Sequence, residues 1–415
     1  MGMTIAEKIL AQHSGQKEVT PGDVVVVDVD VAVVLDLGFA MQGSFPIPTR
    51  VAAPEKIVVV ADHMVPAPSV EAANGLKRMR EFAQKFGIKN YYPEGDHGIS
   101  HVVVAERGLA LPGKILACSD SHTCSAGAFN SLARGLGGAE MMYVICKGRT
   151  WYMLGPTTKV ILEGELPEWV YPRDIIHHLG GVYGDFANRN LEWSGEGVSN
   201  MSMSGRLTIA TISAEVSAEF SLFPCDDVTV AYLDDRAQFP YEPVVPDPDA
   251  RYEEPITINL SKLDPQVVLP GRMSHNVKGI REVTGTKIDQ AFVGSCANGR
   301  LEDIAITAEI MKGRQVASGT RFILTPGSQS VLKEAVKAGY VETLMDAGVV
   351  VTNSTCGACY GGHMGILGDD EVCITASTRN FQGRMGSATA QIYMGSPATV
   401  AASAIKGRIT DPRDL

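Results

Sequence analysis

The sequence predicts an α/β protein built on mainly parallel sheets. Three observations carry that expectation. The chain has 415 residues, 45% of them hydrophobic and 20% charged, an ordinary balance for a globular chain of two or three domains. Short apolar runs alternate with longer amphipathic stretches, the order that builds βαβ units. Five unusual polar clusters each follow directly on an apolar run. They are Asp62-His63 after KIVVVA, Asp120-Ser121-His122-Thr123 after KILACS, Gly294-Ser295-Cys296 after IDQAFV, Thr355-Cys356-Gly357-Ala358-Cys359 after GVVVTNS, and Thr378-Arg379-Asn380 after VCITAS. In open α/β sheets, ligands gather beyond the carboxyl ends of the strands, so these clusters point to one composite site.

The apolar runs give the expected strands in order: Lys56–Ala61, Lys114–Ala117, Lys159–Leu162, Ala291–Val293, Phe322–Leu324, Val349–Thr352 and Val372–Ala376. Amphipathic spacing gives helices over Ser69–Phe86, Gly127–Cys146, Ile304–Met311 and Ser328–Ala338. The segment Gln238–Arg251 holds four prolines and reads as a linker, a surface crossing or a Pro-rich loop inside a domain. A boundary is expected near Arg272–Val283, which separates residues 1–282 from 283–415. There is no fixed-period repeat and no low-complexity tract.

Composition excludes several function classes. There are 36 basic and 47 acidic residues, a net charge of −11, so no basic excess exists to displace counterions from nucleic acid or an anionic membrane. No apolar run approaches the ~18 residues of a membrane span. Val24–Val27 and Val31–Leu35 are interrupted by Asp, and the first residues lack the charged-then-apolar pattern of a signal peptide. Eight cysteines are too few for a disulfide scaffold. A cytoplasmic chain with thiols or metal ligands is expected. The Gly135–Gly138 region does not fit G-x-G-x-x-G, so no dinucleotide site is expected.

Cys356 and Cys359 form a C-x-x-C, and Cys296 stands sixty positions earlier in a similar strand-end turn. Three thiolates among small residues fit an iron–sulfur cluster with one iron left open, because backbone N–H groups can then approach the sulfides. Zinc, or no metal, fits the spacing as well. Cys118, Cys124, Cys146, Cys225 and Cys373 read as buried inert thiols. His63 and His122 each follow an Asp, and His101 follows a polar turn; a carboxylate beside an imidazole fixes its tautomer and prepares proton transfer. His13, His177, His178, His275 and His363 read as structural. Arg379 and Arg384 flank a Gly-containing loop, where two forked guanidinium groups could clamp carboxylates. Glu215 lies in an apolar run as a candidate acid–base group, with Glu219 as its competitor.

With these residues assembled, the chain resembles the aconitase superfamily, and within it the isopropylmalate dehydratase large-subunit branch and its small-diacid hydratase relatives. The motifs are DHMVP at 62–66, GISH at 98–101, SDSHT at 119–123, GSCANGR at 294–300, TCGACYGG at 355–362 and RNFQGRMG at 379–386. The resemblance implies three α/β/α domains of aconitase type around a central iron–sulfur site, without the swivelling fourth domain. Two intertwined subdomains would fill 1–282 and carry Asp62, His63, His101, Asp120, His122 and Glu215; the third would fill 283–415. It implies a [4Fe–4S] cluster on Cys296, Cys356 and Cys359. Asp62, His63, His101, Asp120, His122 and Glu215 would handle protons, and Ser121, Arg379 and Arg384 would hold substrate carboxylates. A swivelling small subunit on a separate chain would complete the enzyme.

The implied activity is a hydro-lyase reaction on a small hydroxy-dicarboxylate. A hydratase of the maleate, citraconate or dimethylmaleate type is the alternative within that class. A cluster-losing regulatory or metal-sensing protein is the alternative outside it, and a zinc or thiol–disulfide protein on Cys356 and Cys359 is another. Several substrate-proximal positions depart from the family pattern. Leu35 stands where a polar loop residue is usual, Thr211 and Thr378 where Asn is usual, and Ser119 where Gly is usual. These departures suggest a smaller or more apolar diacid.

Overall fold

The computed structural model describes residues 2–40 and 48–415, and the chain divides into two compact units. One comprises Met1–Glu94, Val103–Glu165 and Phe186–Leu260; the other comprises Gly95–Val102, Leu166–Asp185 and Ser261–Leu415. No helix among the described residues is long and apolar enough to cross a membrane.

The first unit is organised by a five-stranded parallel sheet. Its spatial order is Asn90–Tyr92, Ile57–Val60, Val31–Leu35, Ile115–Cys118 and Leu132–Gly135. The three central strands are buried along their whole length, which is why they read as continuous apolar runs rather than as alternation. Sequence order reverses between Val31–Leu35 and Ile115–Cys118. The carboxyl ends at this reversal are where a doubly wound sheet opens a crevice. A second parallel sheet orders Ser221–Leu222, Asn190–Ser194, Thr157–Glu163 and Ile256–Asn259. A two-stranded antiparallel ribbon pairs Val24–Asp28 with Arg149–Met153.

The second unit holds a seven-stranded sheet ordered Val277–Gly279, Gln266–Val268, Gln391–Met394, Val372–Thr375, Gln290–Val293, Arg321–Leu324 and Val350–Val351. The last five are parallel, and the first two join antiparallel at one edge. Order reverses between Gln290–Val293 and Val372–Thr375. The segment 261–282, expected with the N-terminal part, therefore pairs with this sheet.

All seven expected strands lie within two residues of observed ones, and Ser69–Phe86 and Ser328–Ala338 are helices at Val70–Phe86 and Gln329–Lys337. The single helix expected over Gly127–Cys146 is instead three elements: a 3-10 run Ser121–Phe129, a strand Leu132–Gly135 and a helix Gly138–Lys147. Asn130 ends the 3-10 run in the left-handed region, at φ 62°, and Gly127 packs on the Ser221 carbonyl with no space for a Cβ. The Pro-rich segment is a surface crossing within the first unit. Asp247 holds it to the N-terminus, accepting from Met3 N at 2.8 Å and pairing with Lys8 at 2.6 Å.

Candidate active site and metal centre

In the first unit, the turns after Val31–Leu35, Ile57–Val60 and Ile115–Cys118 carry the polar clusters. Asp36 begins the short helix Asp36–Ala40 after Val31–Leu35, is fully buried, and accepts three backbone hydrogen bonds from the neighbouring turn. The donors are Asp62 N at 3.0 Å, His63 N at 3.0 Å and Met64 N at 2.7 Å. Burial pushes the Asp36 carboxyl above its ordinary range; His63 and the N–H donors oppose the shift, and Asp62 adds to it. Sequence reasoning missed Asp36 because its function is to fix a backbone 26 positions away. The buried Asp62 carboxylate lies 3.4 Å from Nδ1 of His63.

Asp120 caps the 3-10 run and accepts from His122 N at 2.8 Å; its carboxylate is also 3.4 Å from His122 Nδ1. The other ring nitrogen, Nε2, meets Glu215 Oε1 at 2.8 Å. A carboxylate beside each nitrogen holds the ring in one orientation, an arrangement suited to moving a proton. Glu215 arrives through helix Met203–Ile212, capped by Ser202 and packed on the 3-10 run, where Cys124 Sγ donates to Ala210 O at 3.1 Å. The competitor Glu219 is engaged elsewhere, 2.8 Å from Arg134 Nε. Ser121 is exposed at the start of the 3-10 run. Two departures from the family pattern take no part in this surface. Leu35 is buried inside the sheet, and the Thr211 hydroxyl donates back to Leu207 O at 2.6 Å within its own helix.

In the second unit, the three cysteine positions stand on turns at the carboxyl edge of the seven-stranded sheet, all three buried. Cys296 follows Gln290–Val293, and Cys356 and Cys359 follow Val350–Val351. Both turns press on Thr325, which ends the strand between them. A Cβ on Gly294 would stand 2.9 Å from Thr325 O, and one on Gly357, at φ 57°, 2.6 Å from Thr325 Oγ1. Only glycine permits these approaches. Thr378 Oγ1 lies 3.6 Å from Cys359 Sγ, and Arg384 Nη2 donates to the same sulfur at 3.9 Å. Arg379 and Arg384 are half-buried on the loop after Val372–Thr375.

The remaining thiols fit an inert role. Burial pushes Cys118 and Cys373 well above the ordinary thiol range and Cys225 up to about 11. His101 is buried in this unit, in the first turn of helix Ser100–Glu106. Its segment is held by Ile99 N donating to Gly327 O at 2.7 Å.

Buried thiols on two strand-end turns that both pack on Thr325, glycines that admit close backbone approach, and polar groups directed at a sulfur fit a cluster held by Cys296, Cys356 and Cys359. Doubly wound sheets with carboxylate–imidazole pairs on one and a three-cysteine edge on the other fit the metal-dependent hydro-lyase class. The Aconitase family (aconitate hydratase) matches residues 7–281 and 272–407, and the chain belongs to that family. It is similar to the 3-isopropylmalate dehydratase large subunit of Mycolicibacterium smegmatis, with 51% identity covering 100% of this chain and 98% of that one. The large subunit of the same name from Nitratiruptor sp. is 41% identical, with 100% of both chains covered. Large subunit 1 from Methanopyrus kandleri is 43% identical, with 100% of this chain and 99% of that one covered. The α/β architecture is of aconitase type, the activity is that of a hydro-lyase, and the cofactor of aconitase-family dehydratases is a [4Fe–4S] cluster.

Proposed function

We propose that the chain is the large subunit of an isopropylmalate dehydratase-type enzyme, which removes water from a small hydroxy-dicarboxylate and adds it back. The observation that carries the reading is the pair of cysteine turns packed on Thr325, with Thr378 and Arg384 directed at Cys359. The bound cluster would supply a Lewis-acidic iron that makes hydroxide a better leaving group.

The chain's own residues then divide the work. His63, oriented by Asp62 and carried on a turn fixed by Asp36, donates the proton that the departing hydroxyl needs. Asp120, His122 and Glu215 form a second proton relay, which manages the water, with His101 as a further proton-handling group. Ser121, Arg379 and Arg384 hold the substrate carboxylates, and the planar forks of the two arginines set their geometry. A separate small subunit is the proposed partner, in keeping with the relatives' names as large subunits, and it would supply the base that takes the carbon-bound proton. The cytoplasm is the proposed setting, because eight cysteines with no disulfide suit a reducing compartment. Nucleic acid and membrane are not proposed as partners, since the net charge is −11.

The test is a dehydration and hydration screen over small dicarboxylates, with citrate as the tricarboxylate control: isopropylmalate, citramalate and citraconate, malate and maleate, dimethylmalate and dimethylmaleate. It uses protein with a reconstituted cluster and an added small subunit from a relative. Isopropylmalate is expected to turn over fastest, and only with the small subunit present. Faster turnover of citrate than of every dicarboxylate, or full turnover without a partner, would overturn the proposal.

A further inference from the structure

Below the cysteine turns of the second unit lies a buried arginine that the reaction does not use directly. Arg173 is the second residue of helix Pro172–Tyr183 and is 1% exposed. Its Nη1 donates to Asn298 Oδ1 at 2.7 Å and to Ala376 O at 2.6 Å, and its Nη2 donates to Ser377 O. Asn298 belongs to the Cys296 turn. Ala376 and Ser377 begin the loop after Val372–Thr375, which continues into Thr378 and Arg379. One guanidinium thus joins the two turns on either side of the sheet's reversal.

The network extends to the cysteine itself. Asn298 Nδ2 donates to Asp303 Oδ1 at 2.7 Å, and Asp303 Oδ2 accepts from Arg300 N at 3.0 Å. Arg300 folds back, donating to Ala297 O and to Cys296 O, both at 2.6 Å. On the other branch, Thr378 is the neighbour of Ser377 and lies 3.6 Å from Cys359 Sγ. A shift of Arg173 therefore reaches the backbone at Cys296 by one route and the sulfur of Cys359 by the other.

Charge runs the same way. A buried guanidinium needs compensation. The two carboxylates near Arg173 are Asp174 and Asp303, and burial raises both, Asp174 to about 7 and Asp303 to about 6. The thiols of Cys296 and Cys359 also lie within the field of Arg173. Three thiolates outweigh the charge of the iron–sulfide core they hold, so a loaded site is net negative and more so when reduced.

We infer that Arg173 is a positioning residue for the cluster. Its planar fork ties the Cys296 turn to the Ser377–Arg379 loop, and its buried positive charge stabilises the loaded and reduced site. The inference rests on the cluster reading of the three cysteines. It separates two properties of one side chain. Lysine keeps the charge but, as a point donor, cannot hold both turns at once. Glutamine removes the charge.

The test compares wild type, Arg173→Lys and Arg173→Gln after anaerobic reconstitution, with readouts independent of turnover. These are the cluster midpoint potential from a redox titration followed by electron paramagnetic resonance, and the rate of iron loss in air. Arg173→Gln is expected to reduce the reduction equilibrium constant tenfold or more, a lowering of about 59 mV for one electron. Arg173→Lys is expected to shift that constant less than threefold while losing iron about ten times faster than wild type. A purely structural arginine would lower thermal stability in both variants without this split in potential. Identical potentials and iron-loss rates in all three proteins would overturn the inference. If Arg173→Gln shows no cooperative melt, the lysine variant decides: faster iron loss supports the inference and an unchanged rate overturns it. A wild type that takes up no iron would instead overturn the cluster reading beneath it.

Discussion

Replacing Asp36 with Asn removes one charge and almost no volume, so its effect isolates the anchor of the His63 turn. Asp36 accepts three backbone hydrogen bonds: Oδ2 takes Asp62 N and Met64 N, and Oδ1 takes His63 N. The better orientation of Asn keeps its oxygen in the place of Oδ2. Its amide nitrogen then faces His63 N, donor against donor at a spacing that is now 3.0 Å. One hydrogen bond to a charged group is lost, worth about 1.5–3 kcal/mol, and two others become neutral-acceptor bonds. The summed cost is about 2–4 kcal/mol, a tolerable fraction of the ~5–15 kcal/mol of a typical domain. The loss falls on His63 N, so the side chain it carries should drift from its orientation against Asp62. Groups that orient a reacting residue typically contribute ~10–100-fold, and D36N should lose turnover by that factor with its iron content unchanged. The assay is steady-state dehydration alongside urea unfolding and iron determination. Turnover within twofold of wild type in a variant destabilised as expected would refute the anchoring argument.

Other outcomes follow from the same geometry. Glu215→Gln and His63→Ala should each lose turnover by roughly a hundredfold or more, the scale for losing a positioned proton donor or its partner, while visible cluster absorption persists; bleached protein would reassign them as structural. Gly357→Ala should lower iron content, because a Cβ there meets Thr325 Oγ1 at 2.6 Å with φ at 57°; full iron loading would show that the turn relaxes. Burial raises Asp174 to about 7 from 3.8. The folded chain therefore holds a proton that the unfolded chain has released between about pH 4 and pH 7, and stability falls as pH rises through that window. Denaturation at pH ~5 and ~8 should show this slope, and Asp174→Asn should flatten it.

Much of the fold was legible because parallel strands buried on both faces are unbroken apolar runs, as in Ile57–Val60 and Ile115–Cys118. The polar residues that end such runs then mark the carboxyl edge directly. The misread segments depended on contacts that no local pattern encodes. Gly127–Cys146 has the composition of a helix, yet Gly127 lies on the Ser221 carbonyl and Asn130 reverses the chain. Leu35 stands where the family has a polar loop residue, but here it ends the buried strand Val31–Leu35. Asp36 and Arg173 gave no signal, because each serves backbone groups distant in sequence. Glu215 was the candidate and Glu219 its competitor in the sequence, and packing brings Glu215 to His122 and Glu219 to Arg134.

The central claim is that Cys296, Cys356 and Cys359 hold one cluster. Its most direct test is iron and acid-labile sulfide per chain in anaerobically reconstituted protein, for wild type and for Cys359→Ser. The account predicts about four irons and four sulfides in wild type, with most of both lost in the variant. A single zinc, or iron without sulfide, in a well-folded wild type would contradict it.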